Sequence, residues 1–272
     1  MARMRAVVFP GQGTAGGEVT GKVEEALRNR VGDGEPPYQL AVFASSVSLF
    51  HRLRGAGVEP DVVAGHSLGE YAAAHAAGSL GLEDGVRLVA ERDRLMTEAS
   101  EKTPGGMVAV IGADVEEVER AVDASEGVVV AANYNTPRQT VISGEKGALE
   151  GVAGEIKGRK VPLRVVGAFH SPLMEGAAAR MEKLLNEVEF AEPAVPMVGA
   201  ASGEVLRTAR EVREALREQM LSPVRWAAVM GRFFEMGVEE IVEAGEDGTL
   251  TRMLRDFKRE DVTGVTAKEA LS

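Results

Sequence analysis

Between Pro104 and Ala168 the apolar pattern runs strand, helix, strand, strand, helix, strand, an order that few folds accommodate. Met107–Ile111, Val128–Ala132, Thr140–Ser143 and Lys160–Val166 are the short strand-like runs, whereas Val115–Ala124 and Lys146–Lys157 carry helical spacing. This β-α-β-β-α-β order is the split βαβ, or ferredoxin-like, arrangement, and Pro104-Gly105-Gly106 marks its start. Outside it the pattern is different. Arg5–Phe9 and Asp61–Gly65 read as short buried strands, with helices expected near Lys22–Arg30, Tyr38–Arg54, 68–77 and 83–99. Further on come helices at about 172–189, 210–220 and 226–236, and strands at Pro196–Ala200 and Glu239–Glu243. Such alternation makes a parallel sheet with helices on its faces. The expectation is an α/β protein: a large parallel-sheet domain over 1–103 and 169–272, carrying a smaller ferredoxin-like (βαββαβ) insert over 104–168.

Composition narrows the chemistry. A length of 272 residues leaves room for one large domain and its insert. The longest uncharged run, Tyr38 to Phe50, falls short of the ~20 residues that cross a bilayer. Ala6–Phe9 runs straight into Pro10-Gly11 and leaves no signal-peptide core. No membrane association is expected, and the cytoplasm is the expected location. There are no cysteines, which removes disulfides, thiolate metal sites and a cysteine nucleophile together. Any imidazole chemistry must come from His51, His66, His75 or His170. A net charge of −11 argues against nucleic acid as a partner.

Gly65-His66-Ser67-Leu68-Gly69 lies between an expected strand and an expected helix. In that setting G-x-S-x-G describes a sharp turn that lifts a serine above the sheet, with glycines where backbone meets backbone. The helix N-terminus supplies free N–H groups for an oxyanion, that of Leu68 first. Ser67 is the candidate nucleophile, and it needs a base within hydrogen-bond reach. His66 adjoins it, but consecutive side chains leaving a strand point to opposite faces, so His66 is expected to turn away. His51 and His75 sit on helices and read as structural. His170 follows the insert at the return to the large domain, a seam of the kind where pockets form. A helix-start histidine also fits that position.

The helix from Glu83 holds an anomaly. Its inward stripe is Gly85, Leu88, Val89, Arg92, Leu95, Met96 and Ala99, with Arg92 at the centre. Stripping a buried charge of its partner costs about 3–5 kcal/mol. Arg92 therefore meets an internal carboxylate, snorkels to the edge, or receives an anion that arrives with substrate. The pattern leaves these open. With Ser67, the last describes a serine acyl enzyme for an acyl group bearing its own carboxylate.

Six segments in order carry a more specific likeness. They are Phe9-Pro10-Gly11-Gln12-Gly13; Gly65-His66-Ser67-Leu68-Gly69-Glu70-Tyr71; Glu91-Arg92-Asp93-Arg94-Leu95-Met96; Asn133 to Gly144; Phe169-His170-Ser171-Pro172-Leu173-Met174; and Ser222-Pro223-Val224-Arg225-Trp226. Together they resemble the malonyl-CoA:acyl-carrier-protein transacylases, the acyltransferases of fatty-acid and polyketide synthesis, over nearly the whole chain. The resemblance implies a hydrolase-like parallel-sheet domain with a ferredoxin-like insert. It implies Ser67 as nucleophile, His170 as base, and the Gln12 and Leu68 N–H groups as oxyanion hole. Arg92 would bind the malonyl carboxylate. A backbone carbonyl, by position that of Gln219, would orient the histidine in place of a triad acid. Phe169 resembles malonyl-selective members. Asn135 would line the cleft, with a turn-forming asparagine before Thr-Pro as an equal alternative. No metal or redox cofactor is implied; the substrates would be malonyl-CoA and a phosphopantetheinylated acyl carrier protein, and the protein a monomer.

Two departures stand out. The stretch between Gln12 and Ser67 is shorter than the family's, with Gly13-Thr14-Ala15-Gly16 replacing a fuller polar loop, and Glu246-Asp247 stand where a Pro-Gly turn is expected. A carrier protein of acidic character would need a basic surface. Arg210, Arg213 and Arg217 on one helix face, or Lys157, Arg159, Lys160 and Arg164, offer one, although both also read as solvated faces. An acyl hydrolase on the same fold and a catalytically silent carrier-docking module are the rival functions.

Overall fold

Two sheets organise residues 3–272, the part of the chain that the computed structural model describes. In chain order the strands are β1 Arg5–Phe9, β2 Val62–Gly65, β3 Gly105–Ile111, β4 Val129–Thr136, β5 Gln139–Glu145, β6 Arg159–Pro162, β7 Met197–Val198, β8 Val205–Leu206, β9 Glu240–Glu243 and β10 Thr263–Thr266. The helices are α1 Gly21–Val31, α2 Tyr38–Gly55, α3 Gly69–Ala76, α4 Leu82–Lys102, α5 Val115–Asp123 and α6 Lys146–Glu155. They continue with α7 Glu175–Asn186, α8 Ala209–Glu218, α9 Trp226–Met236, α10 Thr249–Met253 and α11 Ala267–Ala270.

The larger sheet is ordered β10-β9-β1-β2-β7-β8 and is parallel except for its edge strand β8. Past Arg5 its two central strands, β1 and β2, are apolar because both faces are covered. Alternation along them divides the core in two. Val7, Phe9 and Val63 pack with α2, α3 and α4, while Ala6, Val8, Val62 and Ala64 pack with Trp226, Val229 and Phe233 of α9. The smaller sheet, β4-β5-β3-β6, is antiparallel throughout. One of its faces, with Val108, Val110 and Ile142, closes a core under α5 and α6. The other, with Met107, Ala109 and Val141, joins the main core and looks toward the large sheet. Val224 stitches the two bodies together, since its N–H donates to Ala132 O and its carbonyl accepts from Tyr134 N, both at 2.8 Å.

Four local expectations change. β6 stops at Pro162 instead of reaching Val166: the Leu163 N–H still donates to Met107 O at 2.9 Å, but the Val165 N–H turns back to the Leu163 carbonyl at 3.0 Å and leaves the ladder. The helix expected over 172–189 is a 3-10 turn at Pro172–Met174 followed by α7. β4 runs on to Thr136, so Asn135 lies in a strand and not in a turn. β8 and β10 lacked a signal in the sequence: one has two residues, and the other, Thr263-Gly264-Val265-Thr266, is a polar edge strand.

Candidate active site

β2 ends at Gly65 and α3 begins at Gly69, so the chain must reverse within three residues. Ser67 accomplishes this with φ +51°, a left-handed conformation uncommon outside glycine. The flanking glycines explain the spacing. A Cβ on Gly65 would fall 2.1 Å from the Gly69 backbone, and one on Gly69 would fall 2.1 Å from the Phe9 carbonyl oxygen. Leu68 is the buried N-cap residue of α3.

The Ser67 hydroxyl lies 2.8 Å from His170 Nε2. On the ring's other side, Nδ1 is 3.0 Å from the carbonyls of both Gln219 and Ser222. Two carbonyl acceptors hold the proton on Nδ1 and leave Nε2 free to accept from the serine. The first carbonyl is the one that the family resemblance implied; the second had no signal in the sequence. His170 is buried, also in the left-handed region at φ +56°. Burial, and next the positive charge of Arg92, push its pKa down to about 4, so the ring is neutral at pH 7.

Arg92 is fully buried. Its Nε donates to Gln219 Oε1 at 3.2 Å, one terminal nitrogen donates to Gln39 Oε1, and the other lies 3.3 Å from Ser67 Oγ. The guanidinium also sits 5.9 Å from the Tyr71 ring centre. All of these groups are neutral. Among the described residues no carboxylate lies within ion-pair distance of Arg92, although Asp93 and Glu70 act on it through space, and its full burial removes the snorkelling alternative. Glu70 stands one residue further out: Gln219 Nε2 donates to its carboxyl at 2.7 Å and to the Ser67 carbonyl at 2.8 Å. Burial raises the Glu70 pKa, and the Ala200 N–H at 2.8 Å opposes this. The Gln219 side chain thus joins the arginine, the elbow and Glu70, while its carbonyl holds the histidine.

Ser67 and His170 open into a cavity of about 390 Å³ that Gln12, Phe169 and Asn135 also line. Its far wall is the apolar face of β3 and β5, including Met107, Ala109 and Val141. A larger cavity of about 690 Å³ beside α10 and β10 touches none of these residues. His66 belongs to the cavity wall, contrary to expectation: Nε2 pairs with Asn135 Oδ1 at 2.8 Å and the ring packs against Trp226. Asn135 in turn donates to Gln139 Oε1 at 2.9 Å. His51 and His75 meet each other at 3.1 Å on α2 and α3.

Gln39, Glu70, Ser222 and the Gln219 side chain were not singled out in the sequence. Glu70 and Ser222 stood inside two of the quoted segments without a role, and Gln39 is a polar residue opening the apolar stretch Tyr38–Phe50. Of the two basic patches, the one on α8 has Arg217 paired with Glu214, Glu182 and Glu218, which leaves its positive charge to Arg210 and Arg213. Arg159, by contrast, is exposed and lines the cavity. Among the described residues no cluster of three potential ligands is placed to hold a metal ion, and no helix is long and apolar enough to cross a membrane.

The acyl transferase domain model matches residues 23–269. The malonyl CoA-acyl carrier protein transacylase of Bacillus subtilis is 34% identical over 229 residues, covering 81% of this chain and 72% of its own. That of Escherichia coli is 36% identical over 224 residues, covering 80% and 72%. The crystal structure of the Synechocystis sp. malonyl-CoA:ACP transacylase superposes with a TM-score of 0.88 at 30% identity, covering 97% of this chain and 96% of that one. A malonyl-transacylase in complex with its type II polyketide synthase acyl-carrier protein gives 0.89 at 30% identity, covering 98% and 97%. The chain belongs to the malonyl-CoA:acyl-carrier-protein transacylase family.

Proposed function

We propose that this protein moves a malonyl group from malonyl-CoA to the phosphopantetheine thiol of an acyl carrier protein, through a malonyl ester on Ser67. His170 Nε2 takes the hydroxyl proton as Ser67 Oγ attacks the thioester carbonyl. The Gln12 and Leu68 N–H groups receive the oxyanion; losing one such donor typically costs about 3 kcal/mol. The C–S bond breaks, and the proton passes from His170 to the departing CoA sulfur. The carrier thiol then enters, gives its proton to His170 and takes the acyl group by the reverse steps. The reaction so written uses no metal and no redox cofactor. It would proceed in a cytoplasmic monomer, with Arg159 at the cavity rim facing the incoming acidic thioester.

One observation carries this reading: a buried guanidinium with no carboxylate in direct contact lies against the reactive hydroxyl. A carboxylate taking the two terminal nitrogens of Arg92 displaces Gln39 Oε1 and the 3.3 Å contact to Ser67, and gains two charge-assisted hydrogen bonds. It also cancels one of the influences that depress His170, so the base strengthens when the correct donor is bound. Phe169, buried beside His170, narrows the space for a branched acyl group.

The test is intact-mass analysis after mixing with malonyl-CoA. A persistent malonyl adduct, absent in Ser67→Ala and discharged by phosphopantetheinylated carrier protein, is the expected result. Rapid loss of the adduct to water would make the protein a hydrolase; no adduct would make it a docking module.

A further inference from the structure

The Gly13–Gly16 loop and the Glu246-Asp247 turn, the two segments expected to depart from the family pattern, touch each other. The loop after Gln12 is exposed at Gly13 and from Ala15 to Glu18, and short of its own packing. Side chains from two other elements hold it. Tyr38, the first residue of α2, receives the Gly13 N–H on its hydroxyl at 2.8 Å and donates to the Thr14 carbonyl at 3.0 Å. Asp247, in the turn after β9, accepts the Ala15 N–H on Oδ2 at 2.9 Å. That turn lies close because Gly245 has no side chain: a Cβ there would fall 2.5 Å from Pro10 Cγ. Glu246 lies directly beneath Gly17. Tyr38 is 47% exposed, so packing does not account for it and its hydroxyl is the functional part. Its place is fixed in turn, since Asp93 Oδ1 accepts the neighbouring Gln39 N–H at 3.1 Å.

We propose that Tyr38 and Asp247 are positioning residues for the oxyanion hole: they clamp Gly13–Ala15 from two sides and so aim the preceding Gln12 N–H at the Ser67 site. This rests on the role assigned to Gln12 above. An oxyanion donor stabilises charge that develops on the thioester oxygen, so its loss slows acylation without weakening ground-state binding, and does so whatever the acyl group carries.

The experiment measures single-turnover acylation of Ser67 and thermal stability in wild type, Tyr38→Phe, Asp247→Ala and Asp247→Asn, with malonyl-CoA and with acetyl-CoA. Tyr38→Phe and Asp247→Ala are each expected to slow acylation at saturating donor about tenfold or more. The donor concentration at half-saturation stays within about twofold, and both donors slow by the same factor. Asp247→Asn keeps an acceptor for the Ala15 N–H and restores most of the rate. Unchanged rates with a lowered melting temperature would overturn the proposal, showing a purely structural clamp. So would a loss confined to malonyl-CoA, which would place the effect at Gln39 and Arg92, or an Asp247→Asn variant as slow as Asp247→Ala. A wild-type protein that takes up neither acyl group would instead overturn the transferase reading, and this proposal with it.

Discussion

His170 and Arg92 set each other's behaviour. A base depressed to about 4 by burial and by a nearby cation stays neutral across the physiological range. The acid limb of kcat/KM for malonyl-CoA, which reports the free enzyme, is therefore expected well below the ordinary histidine value of 6.5. Removing the positive neighbour raises the base, so Arg92→Ala moves that limb of the acetyl-CoA profile to higher pH. The same shift bears on stability. Unfolded, His170 protonates near 6.5, and folded only near 4, so between these values the unfolded chain binds more protons. The contribution of this residue is complete above 6.5 and fades as pH falls toward 4. Urea midpoints measured from pH 4 to 7 should fall less steeply with acid in His170→Gln than in wild type. Gln219→Ala separates the two roles of that residue: the carbonyl on His170 remains, while Arg92 Nε, the Glu70 carboxyl and the Ser67 carbonyl each lose an amide partner. A loss of about 1–3 kcal/mol per group left unpaired is expected from denaturant unfolding.

The strand–turn–helix around Ser67 was readable because each glycine in it answers a backbone contact. Gly69→Ala is expected to lower the melting temperature by more than about 5 °C, since the new Cβ meets the fixed carbonyls of Phe9 and Pro10 and not a movable side chain. α4 was readable for a related reason, its apolar stripe making Arg92 conspicuous. What the stripe could not show is the arginine's company. Gln39 comes from α2 and Gln219 from just beyond α8, separated from Arg92 by dozens of residues, and neutral amides leave no charge pattern to find. The second carbonyl on His170 was hidden similarly, because any residue carries a carbonyl and only the path of 219–222 brings two to one ring. His66 misled because strand alternation ends where the elbow begins.

At the scale of the whole molecule, the order of strands and helices sufficed to separate a parallel sheet from an antiparallel insert. It did not show that the insert's second face forms the far wall of the catalytic cavity. That arrangement gives an acyl-serine ester an apolar cover, and places β6 with Arg159 at the entrance. Arg159→Glu is expected to raise KM for the carrier protein severalfold at low ionic strength with kcat preserved, and added salt should shrink the difference. The central claim concerns what the buried cation reads. It is tested most directly by offering wild type and Arg92→Ala an equimolar mixture of malonyl-CoA and acetyl-CoA and weighing the Ser67 adducts. A malonyl adduct is expected on the wild type, and on Arg92→Ala a loss of malonyl with acetyl retained or increased. An Arg92→Ala variant that still prefers malonyl as the wild type does would contradict the claim.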